Sequence, residues 1–155
     1  MSKFKYKIIE IGDDLDVSKD NVQIKAIEVD HHPVQPAYGY KIILENEKRI
    51  IISGDTRYSE NLIYEAEGAD VLVHEVFIEL KFNAIRMSEQ TVNNIKDYHT
   101  SPEDVGKVAS KAGVKKLVLT HFVPPVFDEE QLKRRIAEYF SGEIIVGSDL
   151  MSLKL

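Results

Sequence analysis

The stretch Val71-Leu72-Val73-His74-Glu75 decides the fold, because a short apolar run ends there in a histidine and a glutamate. Two further apolar runs end in a similar way, at Ser53-Gly54-Asp55-Thr56 and at Leu119-Thr120-His121-Phe122. Short apolar runs bounded by polar residues are typical of strands buried in a sheet. We therefore expect three strands to bring metal-binding or proton-transferring groups to one edge of a sheet.

The remaining sequence predicts an α/β domain around this sheet. Apolar patterning predicts strands over residues 5–11, 22–29, 38–44, 49–53, 69–74, 116–120, 143–146 and 151–155. Helical spacing predicts three helices. The first contains Leu62 and stops at Gly68, and the second starts at the Ser101 cap and stops at Gly113. The third contains Leu132, Ile136, Tyr139 and Phe140 and stops at Gly142. Residues 78–98 keep neither period, which fits a lid, a loose helix or a surface excursion.

Composition limits the classes of function. The chain has 155 residues, 43% of them hydrophobic, which predicts a single domain over residues 1–155. A net charge of -6 argues against non-specific binding to nucleic acid or to an anionic membrane, but not against a small anionic substrate. Without cysteine, a metal site must use histidines and carboxylates. No signal peptide or membrane span is evident, and we expect a cytoplasmic protein.

Three polar positions have both a functional and a structural interpretation. Asp55, on a tight turn after a strand, is placed to bridge two cations, or it only caps the following turn. His121 ends a strand like a metal ligand, although an isolated histidine is more often structural. His99 precedes a capped helix whose free N–H groups favour an anion, but the cap alone explains this segment.

Two pairs of neighbouring polar residues are also candidates. In the extended segment that contains His31 and His32, adjacent side chains point to opposite faces, so at most one of them reaches a given site. Asp30 could orient an imidazole or remain solvated. His74 and Glu75 either cooperate in proton transfer or are two polar residues at a strand end.

Taken together, these segments resemble the C-terminal half of a metallo-beta-lactamase-fold hydrolase of the ribonuclease Z and arylsulfatase-like type. The resemblance covers residues 22 to 125 and rests on five segments, which are H-x-P-V-x-P-A-x-G-Y from His31, S-G-D-T-R from Ser53, V-L-V-H-E from Val71, Y-H-T-S from Tyr98 and L-T-H-F from Leu119. It implies half of an αββα sandwich, with one mixed sheet covered by helices.

The resemblance also implies roles for individual residues. His31 would bind one zinc ion, His121 a second, and Asp55 would bridge both. His74 and Glu75 would form a proton-relay pair, and His99 would contact the scissile group or help to protonate the leaving group.

Two features depart from the family pattern. Ribonuclease Z enzymes tend to read H-E-A-T where this chain has His74-Glu75-Val76-Phe77, which leaves a tRNA substrate open. The H-x-H-x-D-H motif, which supplies four ligands in the N-terminal half of the fold, is absent from the sequence. Because zinc usually takes four ligands, three matched ligands predict weak or no metal binding by this chain alone.

The sequence therefore predicts a dinuclear zinc hydrolase of phosphodiesters or sulfate esters that is incomplete and inactive alone. An apolar sheet face without its second half would be bare, so we expect an N-terminal half-domain, a homodimer or a rearranged packing to cover it. The substrate would be a small anionic ester or RNA. The alternative is a catalytically silent interaction or scaffold module derived from the same fold.

Overall fold

The computed structural model describes residues 16–19, 21–78 and 88–155, and side chains from residue 21 onward. Within these ranges, seven strands form one sheet in the order β1 to β7. The strands are β1 (Asp16–Lys19), β2 (Val22–Val29), β3 (Ala37–Ile43), β4 (Arg49–Ile52), β5 (Val71–Phe77), β6 (Lys116–Val123) and β7 (Glu143–Val146). The helices are α1 (Glu60–Glu65), α2 (Glu89–Asp97), α3 (Pro102–Ala112) and α4 (Glu129–Ala137).

The sheet is mixed, and its topology determines where the strand ends lie. Strands β1 to β4 pair antiparallel, whereas β4 to β7 pair parallel. Two antiparallel steps separate β2 from β4, so β2 runs in the same direction as β4, β5 and β6. The carboxyl ends of these four strands therefore meet at one edge of the sheet, which we call the carboxyl edge.

Helices α1, α3 and α4 cover one face of the sheet. Their apolar residues, including Leu62, Val108 and Ile136, form one buried cluster with Leu72 and Leu117 of the central strands. The crossovers from β4 to β5, from β5 to β6 and from β6 to β7 all move in the same direction across the sheet. Because parallel crossovers have the same handedness, their helices lie on the same face. Burial of a large aliphatic side chain contributes about 1.5–3 kcal/mol. The expected class, an α/β arrangement of one mixed sheet covered by helices, is confirmed.

Local signals explain the helix ends. The Ser101 side chain accepts a hydrogen bond from the Asp104 N–H, and Pro102 occupies the first turn of α3, as expected. Gly113 ends this helix in the left-handed conformation, at a φ of 61°. Helix α2 lies within the segment that kept no period, and none of its residues is buried. In the described part of the chain, no helix has the length and apolar character to cross a bilayer.

Several element boundaries differ from those expected. Residues 151–155 form no strand, and α4 ends at Ala137, so Tyr139 and Phe140 follow the helix. Strands β5 and β6 each run three residues further than expected. No strand was expected over residues 16–19, where β1 lies. The strand expected over residues 5–11 lies outside the described residues.

The second face of the sheet is also apolar. Side chains alternate across a strand, so residues between those of the buried cluster point to this face. Tyr40, Ile52 and Val73 lie there and are half-buried. Beside them, the C-terminal tail forms part of the wall of an open cleft of about 400 Å³, which Val118 and Leu153 also line. What covers the rest of this face stays a prediction.

Asp70 joins three elements at the edge opposite the carboxyl edge. Its carboxylate accepts hydrogen bonds from Lys115 Nζ at 2.8 Å, from the Arg49 backbone N–H at 2.9 Å and from Lys48 Nζ at 3.0 Å. The side chain of Asp70 is only 11% exposed. The Lys115 ammonium and the Arg49 N–H hold the pKa of Asp70 well below its usual range. The ionised carboxylate therefore fastens the starts of β4, β5 and β6 together.

The Asp70→Asn variant should lose about 2 kcal/mol of unfolding free energy at pH 7, because an amide cannot accept the same charge-assisted bonds. A folded-state pKa below the unfolded value stabilises the protein above about pH 3.9, and this contribution is lost as the pH falls. The gap between wild type and variant should therefore narrow below about pH 4. Urea denaturation across pH measures both effects, with the exposed Asp149→Asn as control. An equal gap at every pH would contradict this account.

Candidate functional site

The candidate site lies at the carboxyl edge of the sheet. His31 follows β2, Asp55 follows β4, Glu75 lies near the end of β5 and His121 lies in the last part of β6. His99 lies two residues before Ser101, the N-cap of α3. The chain topology thus brings His31, Asp55, Glu75 and His121 to one edge, and the loop between α2 and α3 adds His99.

Gly54 places the turn that carries Asp55. Its φ is 63°, a left-handed conformation that favours glycine. A Cβ at this position would also collide with the carbonyl oxygen of Tyr38 on β3. The Ser53 hydroxyl donates to the Gly54 carbonyl at 2.6 Å and accepts from the Glu75 N–H at 3.2 Å. Asp55 is therefore carried on a turn that is fixed against both neighbouring strands.

His121 occupies a β-bulge. The register of β5 and β6 pairs Glu75 with Thr120 and Val76 with Phe122, which leaves His121 as an extra residue. Its φ is 43°, in the left-handed region that is strained for a histidine. Bulges re-aim side chains. Here the imidazole Nε2 lies 3.5 Å from Asp55 Oδ2, so the bulge brings His121 to the carboxylate of the adjacent turn.

A backbone carbonyl orients His31. Its Nδ1 lies 2.8 Å from the carbonyl oxygen of Tyr98, at the end of α2. Because a carbonyl only accepts, Nδ1 carries the proton and donates it. In the neutral ring Nε2 then keeps its lone pair, which is the form that binds a metal. The contact with Tyr98 could not be predicted, since any residue type supplies the same carbonyl.

Glu75 pairs with His99. Glu75 Oε2 lies 3.1 Å from His99 Nδ1, and Oε1 accepts the Thr100 N–H at 2.7 Å. The Glu75 side chain is 1% exposed and that of His99 is 7% exposed. His99 nevertheless lines a cleft of about 420 Å³, together with Arg57, Lys96 and other residues. A buried carboxylate that holds Nδ1 leaves Nε2 of the same imidazole to exchange a proton.

His74 does not take part in this pair. Its Nδ1 lies 2.7 Å from the backbone carbonyl oxygen of Glu75, and its buried Nε2 has no hydrogen-bond partner among the described residues. Burial lowers the pKa of His74 below its ordinary value, which keeps the ring neutral. The carboxylate of Glu75 is thus bonded to His99, rather than to the His74 ring with which it was expected to form a relay.

His99 also neighbours both histidines that are expected to bind metal. Its ring centroid is 5.2 Å from that of His31 and 5.8 Å from that of His121. The ring of Phe77 stacks on His99 at 6.4 Å. Both expected histidine ligands therefore lie beside the imidazole of His99, and Asp55 lies next to His121. His32 is exposed and only its neighbour His31 joins this group.

The donors match a metal centre in kind but not in number. Two imidazoles and a carboxylate are ligands that zinc accepts, and His31 presents a free Nε2. Across residues 21–78 and 88–155, however, no three acidic or imidazole side chains cluster closely enough to hold one ion. Asp55 and His121 form a close pair, whereas His31 neighbours the ring of His99 and joins no ligand cluster with them. The residues present fit part of a dinuclear site.

Comparison with known families agrees with this geometry. A family model described as beta-lactamase superfamily domain matches residues 2–122. The chain belongs to this superfamily, whose metallo-beta-lactamase fold it shares.

Individual relatives narrow the comparison. Ribonuclease Z of Mycobacterium tuberculosis (strain ATCC 25618 / H37Rv) is 39% identical over 134 residues, which are 85% of this chain and 48% of that protein. The metallo-beta-lactamase fold protein YhfI from Bacillus subtilis superposes with a TM-score of 0.71 at 23% identity, over 90% of this chain and 52% of that one. Human tRNase Z, short form, gives a TM-score of 0.56 at 21% identity, over 87% and 44%. The chain spans about half the length of these relatives.

Backbone strain at the bulge can be tested at His121. The His121→Gly variant should have an unfolding free energy about 1 kcal/mol higher than that of His121→Ala, because glycine adopts a positive φ without steric cost. It should therefore unfold at a higher denaturant concentration. Both variants remove the imidazole, so the comparison isolates the backbone. The same pair of substitutions at the exposed His32, which lacks a positive φ, is the control and should rank in the opposite order or equally. Equal stability of the two His121 variants would show that the bulge is unstrained.

Proposed function

We propose that this chain supplies half of the active site of a metal-dependent phosphodiesterase. The observation that carries the proposal is the close approach of two functional pairs, Asp55 with His121 and Glu75 with His99, at one edge of the sheet. The first pair offers metal ligands and the second offers proton transfer. Hydrolysis of an ester whose leaving group is a poor one uses both kinds of group.

Zinc is the metal that the donor set favours. His31 would hold one ion through Nε2, His121 would hold a second, and Asp55 would be shared between them. Bound in this way, the ions would supply Lewis acidity and a nucleophile at neutral pH. His31 and His121 then act only as oriented ligands.

Glu75 and His99 would handle the proton. With Nδ1 held by the Glu75 carboxylate, His99 can donate a proton from Nε2 to a departing alkoxide and recover it afterwards. Burial of the carboxylate strengthens this pairing because little water competes for it. His99 reaches the substrate through the cleft that it lines. Glu75 acts through His99 and is a positioning residue for it.

A phosphodiester, including RNA, is the proposed substrate class. Support comes from the relative that is named ribonuclease Z and is 39% identical to this chain. A sulfate ester would use the same site chemistry, but that support is specific to the phosphodiester. The net charge of -6 makes a compact anionic ester held by metal ions more suitable than a long polyanion held by surface charge.

Completion of the site would require ligands that this sequence does not contain. Each ion would have one histidine and the shared Asp55, below the usual four ligands. The chain covers 48% of the Mycobacterium tuberculosis relative. An N-terminal half of the fold, on the same polypeptide or another, would supply the remaining ligands and pack on the apolar second face of the sheet. A homodimer would cover that face without adding a new kind of ligand.

Reconstitution tests the proposal. The full chain, mixed with the N-terminal half of the Mycobacterium tuberculosis relative and Zn²⁺, should cleave bis(p-nitrophenyl) phosphate, and each half alone should not. Asp55→Ala in this mixture should lower kcat at least about 100-fold, because both ions lose a ligand.

The control for this test is Glu130→Ala, an exposed position on α4 that should leave activity unchanged. Assembly of the two halves is followed separately by gel filtration, and bound zinc by elemental analysis. A complex that assembles, holds no zinc and cleaves nothing would contradict the proposal and favour a silent interaction module.

The role of Glu75 can be tested through the leaving group. In the reconstituted mixture Glu75→Gln should lower kcat about 100-fold for a dinucleotide, whose alkoxide must be protonated, and much less for p-nitrophenolate release. Glu138→Gln, at an exposed position, is the matched control. An equal loss for both substrates would exclude proton donation through His99.

A further inference from the structure

The loop that follows β2 is attached to the turn that carries Asp55. The backbone N–H of Arg57 donates to the carbonyl oxygen of Asp30 at 2.8 Å. The hydroxyl of Thr56 shares its proton between the Arg57 carbonyl oxygen at 2.8 Å and the same Asp30 oxygen at 3.2 Å. Asp30 immediately precedes His31, so one side of the His31 peptide is held by residues that directly follow Asp55.

The Arg57 side chain holds the other side. Its Nη2 donates to the carbonyl oxygen of His32 at 3.3 Å. Its Nε lies 3.6 Å from Asp30 Oδ2, an ion pair too long for a hydrogen bond, and this Nε is buried. Asp30 Oδ1 in turn accepts the His32 N–H at 3.1 Å. The guanidinium and the carboxylate therefore hold the backbone of His32, after His31, while the Arg57 N–H holds the carbonyl of Asp30, before it.

We propose that Arg57 is a positioning residue for His31. By holding residues 30 and 32, it keeps Nδ1 of His31 on the Tyr98 carbonyl and so keeps the Nε2 lone pair aimed at the site. The inference rests on the proposed function only in treating His31 as a metal ligand. Because Arg57 lies two residues after Asp55, it also fixes the distance between the histidine loop and the shared carboxylate.

An arginine suits this role better than a lysine. One nitrogen of the planar guanidinium donates to a backbone carbonyl while Nε faces a carboxylate. The single ammonium of a lysine would make these two contacts with poorer geometry. The guanidinium also lines the cleft beside His99, so a direct contact with the substrate is the competing role. The two roles differ in the protein without metal or substrate, where only positioning affects the imidazole of His31.

Nitrogen NMR of the metal-free full chain tests the proposal. With ¹⁵N-histidine labelling at pH 8, wild-type His31 should be mainly the Nδ1–H tautomer. In Arg57→Met the ratio of Nδ1–H to Nε2–H at His31 should fall about fivefold, as expected when one neutral hydrogen bond is no longer held in place. His74, which is bonded to the Glu75 carbonyl, should be unchanged and serves as the internal reference. Arg134→Met removes an exposed arginine of α4 and is the matched control.

A zinc titration of the chain mixed with the N-terminal half gives a second readout. The apparent affinity of Zn²⁺ for His31, followed by the chemical shifts of its imidazole, should fall about tenfold in Arg57→Met. A loss of about this size is typical when a residue that orients a metal ligand is removed. Arg57→Lys should recover part of the loss. Asp30→Asn, at a half-exposed side chain, should shift the tautomer in the same direction and covers the case in which Arg57→Met fails to fold.

Two results would overturn the proposal. Unchanged His31 signals in folded Arg57→Met and in Asp30→Asn would exclude the positioning role of Arg57. A higher KM of Arg57→Met in the reconstituted mixture would then identify Arg57 as a substrate contact. Equal shifts at His31 and His74 would show general destabilisation. Since neither readout requires catalysis, failure of the hydrolase assay leaves this test intact.

Discussion

The buried carboxylate of Glu75 is the group on which the arrangement of the site depends. An ionised group out of contact with water costs several kcal/mol unless it is hydrogen-bonded. Glu75 meets this need with the Thr100 N–H and with His99, both from the loop that precedes α3. This loop must therefore stay against β5, and its position also places the Tyr98 carbonyl beside His31. One carboxylate thus orders two imidazoles.

The elements with local signals were predictable from the sequence. The Ser101 cap, the Pro102 start and the left-handed Gly113 define α3 because each acts within one helical turn. Strands β2 and β7 have the expected bounds because their apolar runs end at clear turns. The convergence of His31, Asp55 and His121 on one edge follows from the directions of their strands. The alternation of apolar and polar residues indicates antiparallel strands in the first half, and the long helical connections indicate parallel strands in the second.

Other features depend on contacts between distant residues and were not predictable. The apolar residues at 151–155 resemble a strand, but the tail lies beside the sheet without pairing to it. The role of Tyr98 comes from a backbone carbonyl, which no side chain reveals. The Glu75 partner was expected to be its neighbour His74, yet alternation along β5 separates these side chains and favours His99 from another element. Arg57 gave no signal beyond following the turn.

The bulge at His121 also reverses the alternation of side chains in β6. Without the extra residue, Phe122 would share a face with Thr120, away from the helices. With it, Phe122 pairs with Val76, faces the helical layer and packs on the ring of Phe127 at 4.5 Å. The position of the His121 imidazole and the packing of Phe122 in the core consequently depend on the same extra residue. Loss of one residue here would turn an aromatic ring out of the interior as it removed the imidazole.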